Sequence, residues 1–444
     1  MTKPVNNTSK LPENINTVQL ATLLGKPFIK IIDVRPVDAY NGWALHKEIR
    51  GGHIKGARSL PEKWLKYLDW IEIVRQKKIV PEDDLIIYSY KSESAENVAK
   101  RFLKSGYKKV RIYEGFMDEW INNPVLPMEH LPNYQHLVPT EWVNTLISGR
   151  KPAGFNNNRY IVVHSHYRNR DAYLTGHIPD AIDMDTLALE KPETWNRRSP
   201  HELKRALEKH GISSDTTVIL YGKYMSPDNR DQFPGSAAGD IGAMRCAFIM
   251  IYAGVKDVRI INGGFQSWQD AGYEITMDDV QKQEIKFGAA IPAKPYLAVD
   301  TPEAKLILAS ENAELVCVRS WPEYIGEVSG YNYIIPKGRI PGAVFADCGS
   351  DAYHMENYRN LDLTTREYQE IADNWTKNGI TPDKHLAFYC GTGWRGSEAW
   401  FNAWLMGWPK VSVYDGGWFE WSADPDNPIE TGIPQNVNKK SIEV

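Results

Sequence analysis

Cysteine is scarce in this 444-residue chain: Cys246, Cys317, Cys348 and Cys390 are all it has, and their wide spacing offers neither a CxxC metal pair nor a disulfide framework. A thiol-reducing setting, with no bound metal and no organic cofactor, is the expectation. Long apolar runs are missing as well. No stretch approaches the roughly 20 apolar residues that cross a bilayer, and the opening MTKPVNNTSKLPEN lacks the apolar core of a secretory signal. The chain as it stands is therefore expected to be soluble and cytoplasmic, or periplasmic if an export signal has been removed, with no membrane partner. An excess of one charge is also absent. Lys and Arg number 52 against 56 Asp and Glu, a formal net charge of −4, which leaves no whole-chain basic field for nucleic acid.

What the chain does have is length and core material. Hydrophobic residues make up 42% and aromatics 11%, and at about 150 residues per domain the length predicts roughly three domains. One pattern also runs through the chain three times: a strand, an entry loop, a second strand ending in a loop, a helix, and a closing Gly-aromatic segment. The first copy reads FIKIIDVRPVDAY, GGHIKGARSL, LIIYSYKSESAENVAKRFLKSG and VRIYEGFMDEW. The second reads YIVVHSHYRNRDAY, TGHIPDAIDM, TVILYGKYMSPDN, AFIMIYAGV and VRIINGGFQSW. The third reads ELVCVRSWPEY, KGRIPGAVFAD, HLAFYCGTGWRGSEAWFNAWLMGW and VSVYDGGWFEW. Short β-branched runs alternating with helical stretches predict an α/β fold, three tandem domains each with a small parallel sheet flanked by helices. The Pro-bearing stretches HLPNYQHLVP and GAAIPAKPYL place the boundaries near 137 and 291, giving domains 1–137, 138–290 and 291–444. The tail after Trp421 is polar and rich in turn formers, as expected of a surface segment.

The copies differ at one informative position. Aligned by the Tyr that ends the second long strand, Ser89 follows Tyr88, Gly222 follows Tyr221 and Cys390 follows Tyr389. A serine without a base is a poor anionic nucleophile and glycine has no side chain, so the first two copies are expected to be scaffolds. Cys390 is followed by GTGWRG and a helical run. Amides from Gly391 to Arg395 can point at whatever the sulfur carries, and the helix N-terminus favours negative charge there. The Gly-aromatic pairs beginning at Gly115, Gly264 and Gly417, and His53 and His177 in the GHI elements, read as structural, with Arg339 replacing that His in the third copy.

The CGTGWR loop, the DGGW segment and the fold pattern resemble rhodanese domains, and the three-copy chain resembles the bacterial three-domain sulfurtransferases. SWPEYIGEVSGYNYIIPKG, HMENY and VYDGGWFEWSADPDNP are especially similar to that subgroup. The resemblance implies a ping-pong sulfurtransferase in which Cys390 takes sulfane sulfur as a persulfide and yields it to cyanide or a thiol. Thiosulfate ranks first as donor and 3-mercaptopyruvate second. It assigns the anion cradle to Gly391, Thr392, Gly393, Trp394 and Arg395, and donor binding to Arg395 and Arg319. Arg319 has an alternative as the ion-pair partner of Glu323, and Lys337 and His354 are weaker candidates. Trp394 either walls the pocket or anchors the loop. The insertion Lys223–Asp240 is expected either to lie on the surface or, by resemblance, to border the Cys390 pocket. Cys246 and Cys317 are expected to be buried and inert, while Cys348 sits in a loop-like stretch that would expose it. Two other readings compete. One is a sulfur carrier that receives persulfide sulfur from a protein partner. The other is a cysteine phosphatase, disfavoured because Cys390 and Arg395 are spaced C-x4-R rather than C-x5-R.

Overall fold

The computed structural model describes residues 12–225 and 234–434. Part of the insertion and the end of the tail lie outside these residues. By compactness the chain divides into two units, meeting between Tyr134 and Gln135.

The first unit carries one five-stranded parallel sheet, in the order Glu13–Ile15, Lys109–Tyr113, Asp84–Tyr88, Ile29–Asp33, Arg58–Ser59. Its strands are apolar on both faces. Leu85 and Ile87 pack in one core cluster while Ile86 and Tyr88 pack in another, as the alternation of a strand covered on both sides requires. Helix Ser92–Lys104 covers the first cluster because Ala95, Val98, Ala99 and Phe102 recur at helical spacing and all four are buried.

The second unit holds two more sheets with the same strand order. One runs Leu137–Val138, Asp257–Ile261, Thr217–Gly222, Tyr160–His166, Ile182–Asp185, and the other Ala298–Val299, Val411–Tyr414, His385–Tyr389, Ala313–Cys317, Val344–Phe345. The position expected as the first boundary, 137, falls on a strand of the second sheet. In all three sheets the strand carrying the aligned Tyr at or next to its end is central, so the residue after that Tyr lies at the carboxyl edge of a parallel sheet, where α/β folds place ligands. Register supports the alignment of copies, since Tyr88 pairs with Asp33, Tyr221 with His164 and Tyr389 with Cys317.

The repeat extends to buried side chains. Tyr40, Tyr173 and Tyr324 donate to the carbonyls of Ala57, Ala181 and Ala343 at 2.8, 3.0 and 2.7 Å. His53 and His177 stack on the first two rings at 3.7 and 3.8 Å, and Arg339 lies 5.0 Å over the third. These three residues are structural, as their place in the sequence suggested. Among the described residues no helix is long and apolar enough to cross a membrane.

Replacing Tyr40 by Phe strands the Ala57 carbonyl and is expected to cost about 1–2 kcal/mol. Urea unfolding followed on the first unit checks this, through a lower midpoint with an unchanged slope.

Candidate active site

Cys390 follows strand His385–Tyr389 directly, and helix Trp394–Leu405 begins four residues later. The turn between them closes at Gly393, whose φ of +90° is easily adopted only by glycine. The loop is gripped from outside: the Trp418 amide donates to the Cys390 carbonyl at 2.8 Å and the Phe419 amide to the Gly391 carbonyl at 3.0 Å. Gly417 must be glycine for this approach, because its φ is +55° and a Cβ there would lie 2.8 Å from the Cys390 oxygen. Gly391 must be small for a different reason, since a side chain would collide with the ring of Tyr331.

Arg395 is buried and heavily engaged. Its two terminal nitrogens bind the carboxylate of Glu323 at 2.9 and 2.8 Å, and they also donate to the Tyr331 hydroxyl at 2.6 Å, the Cys348 sulfur at 3.2 Å and the Asp351 carbonyl at 3.0 Å. Burial alone would push the Glu323 carboxyl up, but the guanidinium wins and holds it below the usual carboxylate range. Ser320 orients Glu323 through a capping box at the start of helix Trp321–Ile325. The charge of Arg395 is thus already paired, and its visible work is to hold Tyr331 against the loop.

Tyr331 was not singled out from the sequence. Its oxygen accepts from Arg395 and, at 3.2 Å, from the Gly391 amide, and its phenol is within electrostatic reach of Cys390. Burial drives the phenol well above its ordinary pKa, so it stays protonated, and with two donors on its oxygen its own O–H is directed elsewhere. A cavity of about 320 Å³ lies alongside. Its aromatic lining is Tyr167, Trp195, Tyr331, Tyr333, Tyr353 and Trp394, joined by Thr392 and by Pro234, Gly235 and Ala238 from the insertion. Among the described residues its one charged lining group is Arg395. Trp195 stacks on Tyr333 at 4.4 Å, and Tyr167 meets Trp394 edge-on at 5.5 Å. The Tyr333 hydroxyl hydrogen bonds with Thr392. The signal for this box was present in the sequence, because the stretch GEVSGYNYIIPK of the third copy is missing from the second copy and is replaced in the first by NGWALHKEIR, which lacks the paired tyrosines.

The other candidate residues do not line the cavity. Arg319 is fully buried, donates to the Cys317 sulfur at 3.3 Å and to the Gly338 carbonyl at 2.6 Å, and lies 4.9 Å over Trp418. The first domain supplies an internal control. Arg35, at the equivalent position beside no catalytic cysteine, donates to Asp33 and to the Gly52 carbonyl at 2.7 Å and lies 4.2 Å over Phe116. Much of this contact set is shared with a domain that has Ser89 at the site, and Glu323 is hydrogen bonded to Arg395 rather than to Arg319. Lys337 is exposed and donates to the Glu327 carbonyl. His354 bonds Asp351 at 2.6 Å and the Tyr224 hydroxyl at 2.9 Å. Cys348 corrects its expected exposure: it is buried under Arg395, and burial pushes its thiol well up. Cys246 and Cys317 are buried as expected.

The second domain has lost its own cradle. A Cβ at Gly222 would collide with the Gly239 carbonyl, so no nucleophile of any kind fits there. Its helix Gly239–Ala253 instead packs against helix Trp394–Leu405, and Gly242 leaves room for the Trp394 ring. Beside it, Glu190 accepts from Trp394 Nε1 at 3.1 and 3.0 Å and from Arg245 Nε at 2.7 Å. Trp394 therefore both walls the pocket and anchors the loop.

These features define a class of protein. A rhodanese-like domain model matches residues 16–123, 166–271 and 300–424, and the chain belongs to the rhodanese family as a three-domain sulfurtransferase. Among its relatives is the thiosulfate sulfurtransferase YnjE of Escherichia coli (strain K12), 39% identical over 412 residues, or 91% of this chain and 89% of that protein. The sulfur carrier protein TtuD of Thermus thermophilus is 30% identical over 67% of this chain and 96% of its own length. Among solved structures, EanB in complex with hercynine is 64% identical, with a TM-score of 0.95 over 96% of this chain and 99% of that one. A persulfide-bearing EanB variant, in a tetrahedral intermediate state with ergothioneine, is 65% identical, with a TM-score of 0.94 over 95% and 100%.

One titration is exposed by the geometry. Burial raises the Glu190 carboxyl from 4.5 to about 7, with Arg245 and Trp394 opposing the shift. The folded chain then holds a proton that an unfolded glutamate releases. The stability Glu190 contributes is therefore complete below about pH 4.5 and is lost as pH rises through about 7. Glu190→Gln is expected to flatten this decline, read as urea midpoints of the second unit between about pH 5 and 8.

Proposed function

We propose that the chain transfers sulfane sulfur from Cys390 to the imidazole carbon of a histidine betaine such as hercynine, giving the thione ergothioneine. The observation that carries this reading is the aromatic box beside the Cys390 loop. Quaternary ammonium groups are bound by aromatic faces, and a cavity of about 320 Å³ is of the size that takes a small organic molecule. A small dianion such as thiosulfate would gain little from six aromatic walls when the one charged lining group is already paired with Glu323. The EanB complexes with hercynine and ergothioneine support the same acceptor.

The donor half-reaction stays as the sequence ranks it, with thiosulfate first and 3-mercaptopyruvate second. The Cys390 thiolate attacks the outer sulfur, the rest of the donor leaves, and loop amides hold the resulting persulfide anion. Its terminal sulfur then adds to the carbon between the two ring nitrogens, while Tyr331 gives its proton to a ring nitrogen. As the S–S bond breaks, its electron pair returns to Cys390 as thiolate. The proton leaving the carbon restores Tyr331, and the sulfur remains on the ring. Tyr331 is placed for this role by two N–H donors that fix its oxygen beside the loop, and the Arg395 charge partly offsets the burial that disfavours its phenolate.

Incubation with a sulfane donor and hercynine, read by mass spectrometry, tests the reading. Wild type is expected to gain about 32 Da on Cys390 and to form ergothioneine, and Cys390→Ser to do neither. Tyr331→Phe is expected to load sulfur but to transfer it about 10²–10⁴-fold more slowly. Rapid turnover of thiosulfate with cyanide, with no sulfur passed to hercynine, would sink the proposal.

A further inference from the structure

Arg245 lies on the second-domain helix that takes the structural place of Trp394–Leu405, and it is fully buried. Its partners lie on both sides of the Cys390 loop. Nη2 binds Asp415 at 2.5 Å and the Trp195 carbonyl at 3.0 Å, and Nε binds Glu190, which in turn holds the Trp394 indole. Asp415 opens the segment whose Trp418 and Phe419 amides grip the carbonyls of Cys390 and Gly391. At the other end of the loop, a Cβ on Gly393 would lie 3.0 Å from Arg245 Nη1, and that nitrogen has no hydrogen-bond partner among the described residues. One guanidinium therefore abuts the turn that closes the cradle and is bonded to the segment that clamps its start.

We infer that Arg245 is a positioning residue for sulfur transfer, through which the second domain sets the spacing of the N–H groups around the sulfur on Cys390. The inference rests on the reading that Cys390 carries the sulfur, and it is independent of the acceptor. It also accounts for the shape of the second domain. That domain has no room for a nucleophile at Gly222, and its helix instead braces the loop of its neighbour. Arg245 is held between Glu190 and Asp415, and Asp415 also pairs with Arg197; such a buried network is costly unless the geometry is kept, because removing one member leaves the others uncompensated. Trp400 packs on Phe248, 5.0 Å between ring centroids, and so joins the same two helices; because Phe248 itself lies 5.8 Å from the Arg245 guanidinium, Trp400 serves as the control.

The test is the rate at which Cys390 gains sulfur from inorganic polysulfide, followed by intact mass well below the unfolding transition, beside the urea midpoint of each variant. Arg245→Met is expected to load about ten- to a hundredfold more slowly. Arg245→Lys keeps the charge but cannot span both carboxylates and the Gly393 turn, so it should fold and load at an intermediate rate. Trp400→Phe should lower the midpoint and leave loading unchanged. Wild-type loading in folded Arg245→Lys would overturn the inference even if Arg245→Met does not fold. Equal slowing in Trp400→Phe would also overturn it, by showing that docking alone is responsible. A wild type that loads sulfur but does not pass it to hercynine would count against the proposed acceptor and leave the role of Arg245 standing.

Discussion

The buried pair between Arg395 and Glu323 is the interaction on which the candidate site depends. It ties the first turn of the helix behind Cys390 to helix Trp321–Ile325, and it presents Tyr331 to the loop. Both partners are essentially inaccessible to water, so losing either leaves an uncompensated buried charge at a cost of about 3–5 kcal/mol. Pairing also removes the net charge of the arginine from the pocket. What faces a bound molecule is a neutral aromatic box with a polarised phenol, a surface suited to an organic cation or zwitterion more than to an inorganic anion.

The chain shows how one scaffold is kept while its chemistry diverges. Three copies share a strand order, a tyrosine bonded to an alanine carbonyl, and a ring or guanidinium stacked on that tyrosine. These features secure the carboxyl edge of the sheet, so they are needed whether or not a nucleophile stands there. Arg35 and Arg319 follow the same pattern, each bonded to a glycine carbonyl and lying over an aromatic ring. The second copy has gone further. Its central strand is closed off by Gly239, and its helix is turned towards the third domain, where it supplies Arg245 and, with the insertion beside it, part of the pocket wall.

Much of this was legible before folding. The number of domains, their α/β class and the alignment of Tyr88, Tyr221 and Tyr389 follow from periodicity, which depends on neighbours close in sequence. Comparing the copies then isolates Cys390, and glycines of its loop and of the closing Gly-aromatic segment mark tight backbone positions, with positive φ at Gly393 and Gly417. The capping box in SWPEY is likewise local, with Ser320 and Glu323 three residues apart.

Residue type and spacing along the chain thus determined the three-fold α/β plan and the single thiol at the end of a central strand, because both are written in short-range order. The partners of the buried arginines were decided only in three dimensions. Arg395 faces Glu323, 72 positions away, and Trp394 faces Glu190, 204 positions away, and no local pattern specifies which carboxylate a guanidinium or indole will meet. The same holds for the aromatic box, whose walls come from two domains and become one surface only when helices Gly239–Ala253 and Trp394–Leu405 pack together.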